Sequence, residues 1–144
     1  MDFLDLALTG KRSQDWLAVY KKAFANPASL GVIIGFDYSK APVSPTPAAA
    51  APSYLGTYAN DFFGEIKIIE KDGALNMVLG PQKQVMAMKH YDRDTFTYET
   101  GGENGVGASG ITFTLGADGK AQQVVIEHLN ETGEGTFKRV RGSK

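Results

Sequence analysis

From Tyr54 onward, eight short apolar or alternating runs follow one another with only turn residues between them. The runs are 54–59, 64–71, 74–79, 84–91, 95–100, 109–115, 121–129 and 136–140. Asp72-Gly73 and Asp118-Gly119 each separate two runs. Asp-Gly is the strongest short hairpin signal, because both central residues of a type I′ turn take positive φ. Gly80-Pro81, Asp92-Arg-Asp94, the glycine-rich stretch 101–110 and Asn130-Glu-Thr-Gly133 mark further turns. Leu75, Met77 and Leu79 share one face by the two-residue period of a strand, as do Phe96 and Tyr98, and Ile111, Phe113 and Leu115. Short strands with short connections predict a mainly β fold: an eight-stranded antiparallel up-and-down barrel or a strongly curled sheet. A closed barrel of eight strands has room for side chains or one small ligand, and the large residues on its inner face predict a filled interior.

The N-terminal part has a different period. Asp2 caps a short expected helix carrying Phe3, Leu4 and Leu8 that ends at Gly10. Ser13 is placed as the N-cap of a second helix, with Asp15 in its positively polarised first turn. Trp16, Val19, Tyr20, Ala23 and Phe24 then fall at helical spacing and make one apolar stripe, ended by Asn26-Pro27. The stripe is expected to pack on a neighbouring sheet, or, if the chain is part of a larger protein, to meet a further domain through Trp16, Val19, Tyr20 and Phe24. Residues 30–36 read as a short strand or a turn-rich connection. Four of the six prolines lie in 41–53, whose missing amide donors favour an extended linker. The expected organisation is a helical lead-in over 1–40, a Pro/Ala-rich linker over 41–53 and a β domain over 54–141.

Composition removes several function classes. A net charge of −1 favours neither nucleic acid nor an anionic membrane as partner. No apolar run approaches the length that crosses a bilayer. Cysteine is absent, so disulfides, thiolate metal sites and a cysteine nucleophile are excluded. Met1-Asp-Phe-Leu-Asp5 has no basic region before an apolar core and does not read as a signal peptide; a signal upstream of Met1 stays open.

No serine has a lysine three residues on, so the Ser-x-x-Lys nucleophile of β-lactamase-type hydrolases is missing, and Gly-x-Ser-x-Gly is missing too. Tyr58-Ala-Asn60 matches Tyr-x-Asn, the second motif of class C enzymes, but in an expected strand it reads as coincidence. Glu99-Thr-Gly101 and Glu131-Thr-Gly133 resemble Lys-Thr-Gly with the charge reversed, and read as strand-end turns. His90 and His128, the only histidines, are placed on strands, in phase with Met86 and Met88 and with Val124 and Ile126. Two imidazoles without a third ligand make a poor metal site, so they read as structural or rim residues. Asp92-Arg-Asp94 lacks the ligand spacing of a calcium loop and reads as a solvated turn. Residues 101–110 lack the Gly-Lys-Ser/Thr ending of a phosphate loop and read as a long hairpin connection. No cofactor, metal or catalytic residue is implied.

Taken in order, Tyr54-Leu-Gly-Thr-Tyr-Ala-Asn60, Phe63-Gly-Glu-Ile, Asp72-Gly-Ala-Leu, Met88-Lys-His-Tyr-Asp with Thr95-Phe96, Ile111-Thr-Phe, Gly119-Lys and Phe137-Lys-Arg139 resemble a known domain. It is the C-terminal accessory domain of unknown function found on serine hydrolases of the penicillin-binding-protein and class C β-lactamase type. The resemblance covers roughly 53–140, and the segment from Phe3 to Trp16 looks like the tail of the preceding hydrolase domain. It implies a lipocalin-like eight-stranded barrel that is not an enzyme. The implied partner is a serine hydrolase domain, in cis or in trans, whose assembly or active-site access the barrel modulates. Periplasmic or extracellular localisation follows by analogy. The alternative is a stand-alone lipocalin-like protein that binds a small hydrophobic ligand.

Overall fold

A computed structural model describes residues 8, 10–11, 15–24, 36–101 and 105–140, and the chain divides into two compact units, Met1–Ile33 and Ile34–Lys144. In the first unit, helix α1 spans Trp16–Phe24. Its cap is Asp15, whose Oδ1 accepts the Ala18 amide at 3.1 Å, so the helix starts later than a Ser13 cap predicts. Ser13, the helix expected before it apart from Leu8 and Gly10, and all but Phe36 of the strand or connection expected over 30–36 lie outside the described residues.

The second unit is one antiparallel sheet of nine strands: β1 (Gly56–Asn60), β2 (Gly64–Lys71), β3 (Ala74–Leu79), β4 (Gln84–Ala87), β5 (Lys89–Asp92), β6 (Thr95–Glu99), β7 (Ala108–Leu115), β8 (Ala121–Ile126) and β9 (Thr136–Arg139). Their order is β4-β3-β2-β1-β9-β8-β7-β6-β5, which rolls into a nearly closed barrel. The expected strand over 84–91 is two strands, because the chain changes partners at Met88. Its amide still donates to Leu75 of β3 at 2.9 Å, whereas Lys89 onward pairs with β6. The β4–β5 unit is thus one bent stave, and the fold keeps the eight-stave up-and-down plan. The hairpin signal at Asp72-Gly73 holds: both residues have positive φ, 54° and 74°. The run expected to continue to 129 stops at Ile126, and Glu127–Leu129 form a 3-10 turn.

Alternation fills the inside. Tyr54, Tyr58, Ile66, Ile68, Met77, Phe96, Tyr98, Ile111, Phe113, Val124, Ile126 and Phe137 are all buried. Tyr54 packs against Phe113 and Phe96 at ring separations of 4.9 and 5.1 Å, and Phe96 and Phe113 meet at 5.9 Å.

β1 and β9 share two residue pairs, Tyr58 with Arg139 and Ala59 with Lys138, and just past them the Val140 amide donates to the Thr57 carbonyl at 2.9 Å. Arg139 reinforces that seam. Its Nη1 donates to the Leu55 carbonyl at 2.9 Å and its Nη2 to the Tyr58 hydroxyl at 2.7 Å, while its Nε donates to the Ala121 carbonyl. Its guanidinium also lies 4.9 Å from the centre of the Tyr58 ring. The Tyr58 hydroxyl in turn donates to the Tyr54 carbonyl at 2.6 Å. Gly56 makes room for this: its φ is 150°, and a Cβ there would overlap the Arg139 guanidinium.

Replacing Arg139 with methionine keeps much of the volume but leaves several acceptors without a donor. Urea denaturation is expected to show a loss of about 2–4 kcal/mol, with a shift in midpoint and little change in slope.

Candidate functional site

The Pro/Ala-rich segment is held against the barrel wall, and the residues that hold it form the most distinctive polar constellation outside the core. Ala50 has extended dihedrals, φ −61° and ψ 143°, and a 3-10 turn over Ala51–Ser53 leads into β1. Ala48, Ala49 and Ala51 are half-buried against the core.

Three carboxylates receive the donors of this stretch. Glu127 Oε1 accepts the Phe36 amide at 2.7 Å. Asp92 Oδ1 accepts the Thr46 amide at 2.6 Å, and the Arg93 amide donates back to the Thr46 carbonyl at 2.8 Å. Asp94 Oδ1 accepts the Tyr54 hydroxyl at 2.6 Å, and that hydroxyl also accepts the Ala49 amide at 2.8 Å. Tyr91 adds a further tie by donating to the Lys40 carbonyl at 2.8 Å.

Phe36, Tyr38 and Tyr91 pack edge to face, with ring centres 5.0 to 6.1 Å apart. The Tyr38 phenol lies over Gly110 on the outer wall of β7. An added Cβ there would sit 2.5 Å from Tyr38 Cζ and 2.9 Å from Glu127 Oε2. Between Phe36 and Thr46 the chain makes a local turn in which Asp37 Oδ1 accepts both the amide and the hydroxyl of Ser39, at 3.0 and 2.6 Å. The Ser39 hydroxyl is the main cause holding the Asp37 carboxyl below its ordinary pKa.

The tyrosines are strongly perturbed. Burial first, and the Glu127 carboxylate second, push the Tyr38 phenol well above its ordinary pKa. Burial and the hydrogen bond to Asp94 do the same for Tyr54. Burial raises Tyr58, with Arg139 opposing it, and pushes Tyr98 up to about 12.

The residues singled out in the sequence fall elsewhere. Val19 and Tyr20 are exposed on α1, at 45% and 51%, as is Leu17; the side chains of Trp16 and Phe24 lie outside the described residues. His90 is exposed on β5, edge-on to Phe96, with Nε2 3.1 Å from the Arg93 carbonyl. His128 is in the 3-10 turn and not on a strand, and its amide donates to Ser109 Oγ at 3.0 Å. Among the described residues, no group of three or more His, Asp or Glu is placed to hold a metal ion.

Asn60 of the Tyr-x-Asn lookalike is a turn former. Its Oδ1 accepts the amides of Phe62 and Phe63 at 2.7 and 3.0 Å, and its Nδ2 donates to the Thr136 carbonyl at 2.8 Å. Asp92-Arg-Asp94 is a turn, as expected, but its carboxylates are engaged and not merely solvated. The end of the glycine-rich stretch, 108–110, belongs to β7. Glu127, Tyr38 and Gly110 carried no sequence signal, because their contacts join positions 17 to 91 residues apart. Among the described residues, a hollow of about 290 Å³ is lined by residues including Ala59, Phe62 and Thr136, and one of about 400 Å³ by residues including Thr57, Ile66, Lys67 and Lys83.

Residues 40–139 match the family described as a domain of unknown function (DUF3471). The chain belongs to that family. It is also similar to a crystal structure of the C-terminal domain of penicillin binding protein Rv0907, at 32% identity and a TM-score of 0.62. That similarity covers 69% of this chain and 94% of the other. No curated protein matches. The similarity over the barrel supports an accessory, non-catalytic role linked to a hydrolase family.

Tyr98, whose pKa is raised from 10.0 to about 12, stays protonated in the fold at a pH where the unfolded chain ionises. Its stabilisation is therefore complete below the ordinary tyrosine pKa and is lost as pH rises through 10 towards 12. Urea midpoints measured from about pH 9 to about pH 11.5 are expected to fall steeply, and less steeply in Tyr98→Phe.

Proposed function

We propose that this domain docks on a β-lactamase-like serine hydrolase domain, in cis or in trans, and modulates its assembly or active-site access. The observation that carries this reading is the similarity, across most of the barrel, to a domain appended to a penicillin binding protein. On this reading residues 1–40 are the tail of a hydrolase-like domain, 41–53 the connection and 54–141 the accessory barrel. The stripe of Trp16, Val19, Tyr20 and Phe24 is the contact. Its support is the exposure of Val19 and Tyr20 on α1, apolar area that a partner would remove from water. By family analogy the pair works in the periplasm or outside the cell; among the described residues no helix is long and apolar enough to cross a membrane.

The alternative, a carrier of a small hydrophobic ligand, gains no support from an interior occupied by Tyr54, Tyr58, Met77, Phe96 and Phe113.

The test is calorimetric titration of this chain with the cognate hydrolase domain. Binding is expected, and Val19→Asp with Tyr20→Asp is expected to weaken it about tenfold or more while the barrel's thermal transition is retained. No heat of binding at about 100 μM would remove the reading.

A further inference from the structure

The segment over 36–53 is held in two different ways. At its C-terminal end, Ala48, Ala49 and Ala51 pack on the core, and Tyr54 itself is buried, so this end cannot leave without opening the barrel. At its N-terminal end the attachment is to the outside of the wall. Phe36 is 58% exposed and is tied by its amide to Glu127, while Tyr38 rests on the flat strip that Gly110 leaves on β7. Gly110 alternates with inward Ile111, so its missing side chain faces outward and the phenol occupies the place a Cβ would take.

We propose that residues 36–40 form a releasable latch: Glu127 and the Gly110 seat hold the lead-in chain to the barrel wall, and opening there frees the chain as far as Thr46 while the barrel stays folded. The Thr46 contacts to Asp92 and Arg93 are the stop. Closed, the latch fixes where the chain joins the barrel. Open, about ten residues become a tether able to extend by up to about 30 Å, since each extended residue spans about 3.3 Å. The inference goes beyond the docking reading and holds whether or not a hydrolase domain binds.

Two variants open the latch from opposite sides. Glu127→Ala removes the acceptor of the Phe36 amide, and Gly110→Ala puts a methyl group where the Tyr38 phenol lies; Gly110 has no positive φ, so alanine fits its backbone. Hydrogen exchange is read on the full chain, together with tryptic cleavage after Lys40. Both variants are expected to speed exchange over 36–41 by about tenfold or more, the loss of one charge-assisted hydrogen bond, with the amides of β1, β7 and β8 unchanged. Glu127→Gln keeps the acceptor oxygen and is expected to retain most of the protection. The proposal is overturned if Glu127→Ala leaves exchange over 36–41 unchanged. It is equally overturned if that variant raises exchange there and in the barrel strands together, which would make the segment part of one cooperative unit.

Discussion

The barrel depends on how its first and last strands are joined. Rolling a sheet shut removes both edges and the unpaired amides they would expose, but only if the closing strands meet. Here β1 and β9 share just two residue pairs. The Val140 amide, the Asn60 side chain and a guanidinium add to them. Arg139 reaches the carbonyls of Leu55 and Ala121 and the Tyr58 hydroxyl, so one side chain ties the start of β1 and the start of β8 to the end of β9. Five donors in a planar fork suit arginine to this place, and a lysine could not span the same set. The charge sits half-buried among dipoles and above the Tyr58 ring, and among the described residues its hydrogen bonds all go to neutral groups. The joint works as a hydrogen-bonded hub.

Gly56, Tyr58 and Arg139 read as one device, and that explains why residues 54–60 stand out in the sequence. The aromatic positions fill the barrel, the glycine admits the guanidinium, and Asn60 turns the chain by accepting two amides and donating to the β9 side. The lookalike of a catalytic Tyr-x-Asn is thus a piece of barrel construction. Its tyrosine points inward to an arginine, with no serine nucleophile near it in sequence.

Much of this was legible because it is local. Alternation at Leu75-Met77, Phe96-Tyr98 and Ile111-Phe113 reports which face is buried, and Asp72-Gly73 reports a turn whose geometry few other pairs allow. What stayed hidden was set by partners distant in the chain. Nothing local says that the run through 84–91 must change neighbours at Met88, since bending there serves only to close the sheet. Nor could Asp92, Asp94 and Glu127 be told from solvated acids, because their donors sit 40 to 91 residues away. The period that predicts a strand to 129 fails at Glu127 for the same reason: a 3-10 turn there aims the carboxylate at Phe36.

The proline-rich segment shows what a closed barrel does with a chain it cannot pair. Pro42, Pro45, Pro47 and Pro52 lack amide donors, and the closed wall offers little free edge, so the segment cannot be added as another strand. The amides of Phe36, Thr46 and Ala49 each find an acceptor on a side chain instead: Glu127, Asp92 and Tyr54. Side-chain acceptors come at isolated points, whereas a ladder supplies them residue after residue. Order gained that way is segmental. Each contact can be lost with little effect on the next, which is why a stretch so firmly placed can belong to the barrel at one end and come away from it at the other.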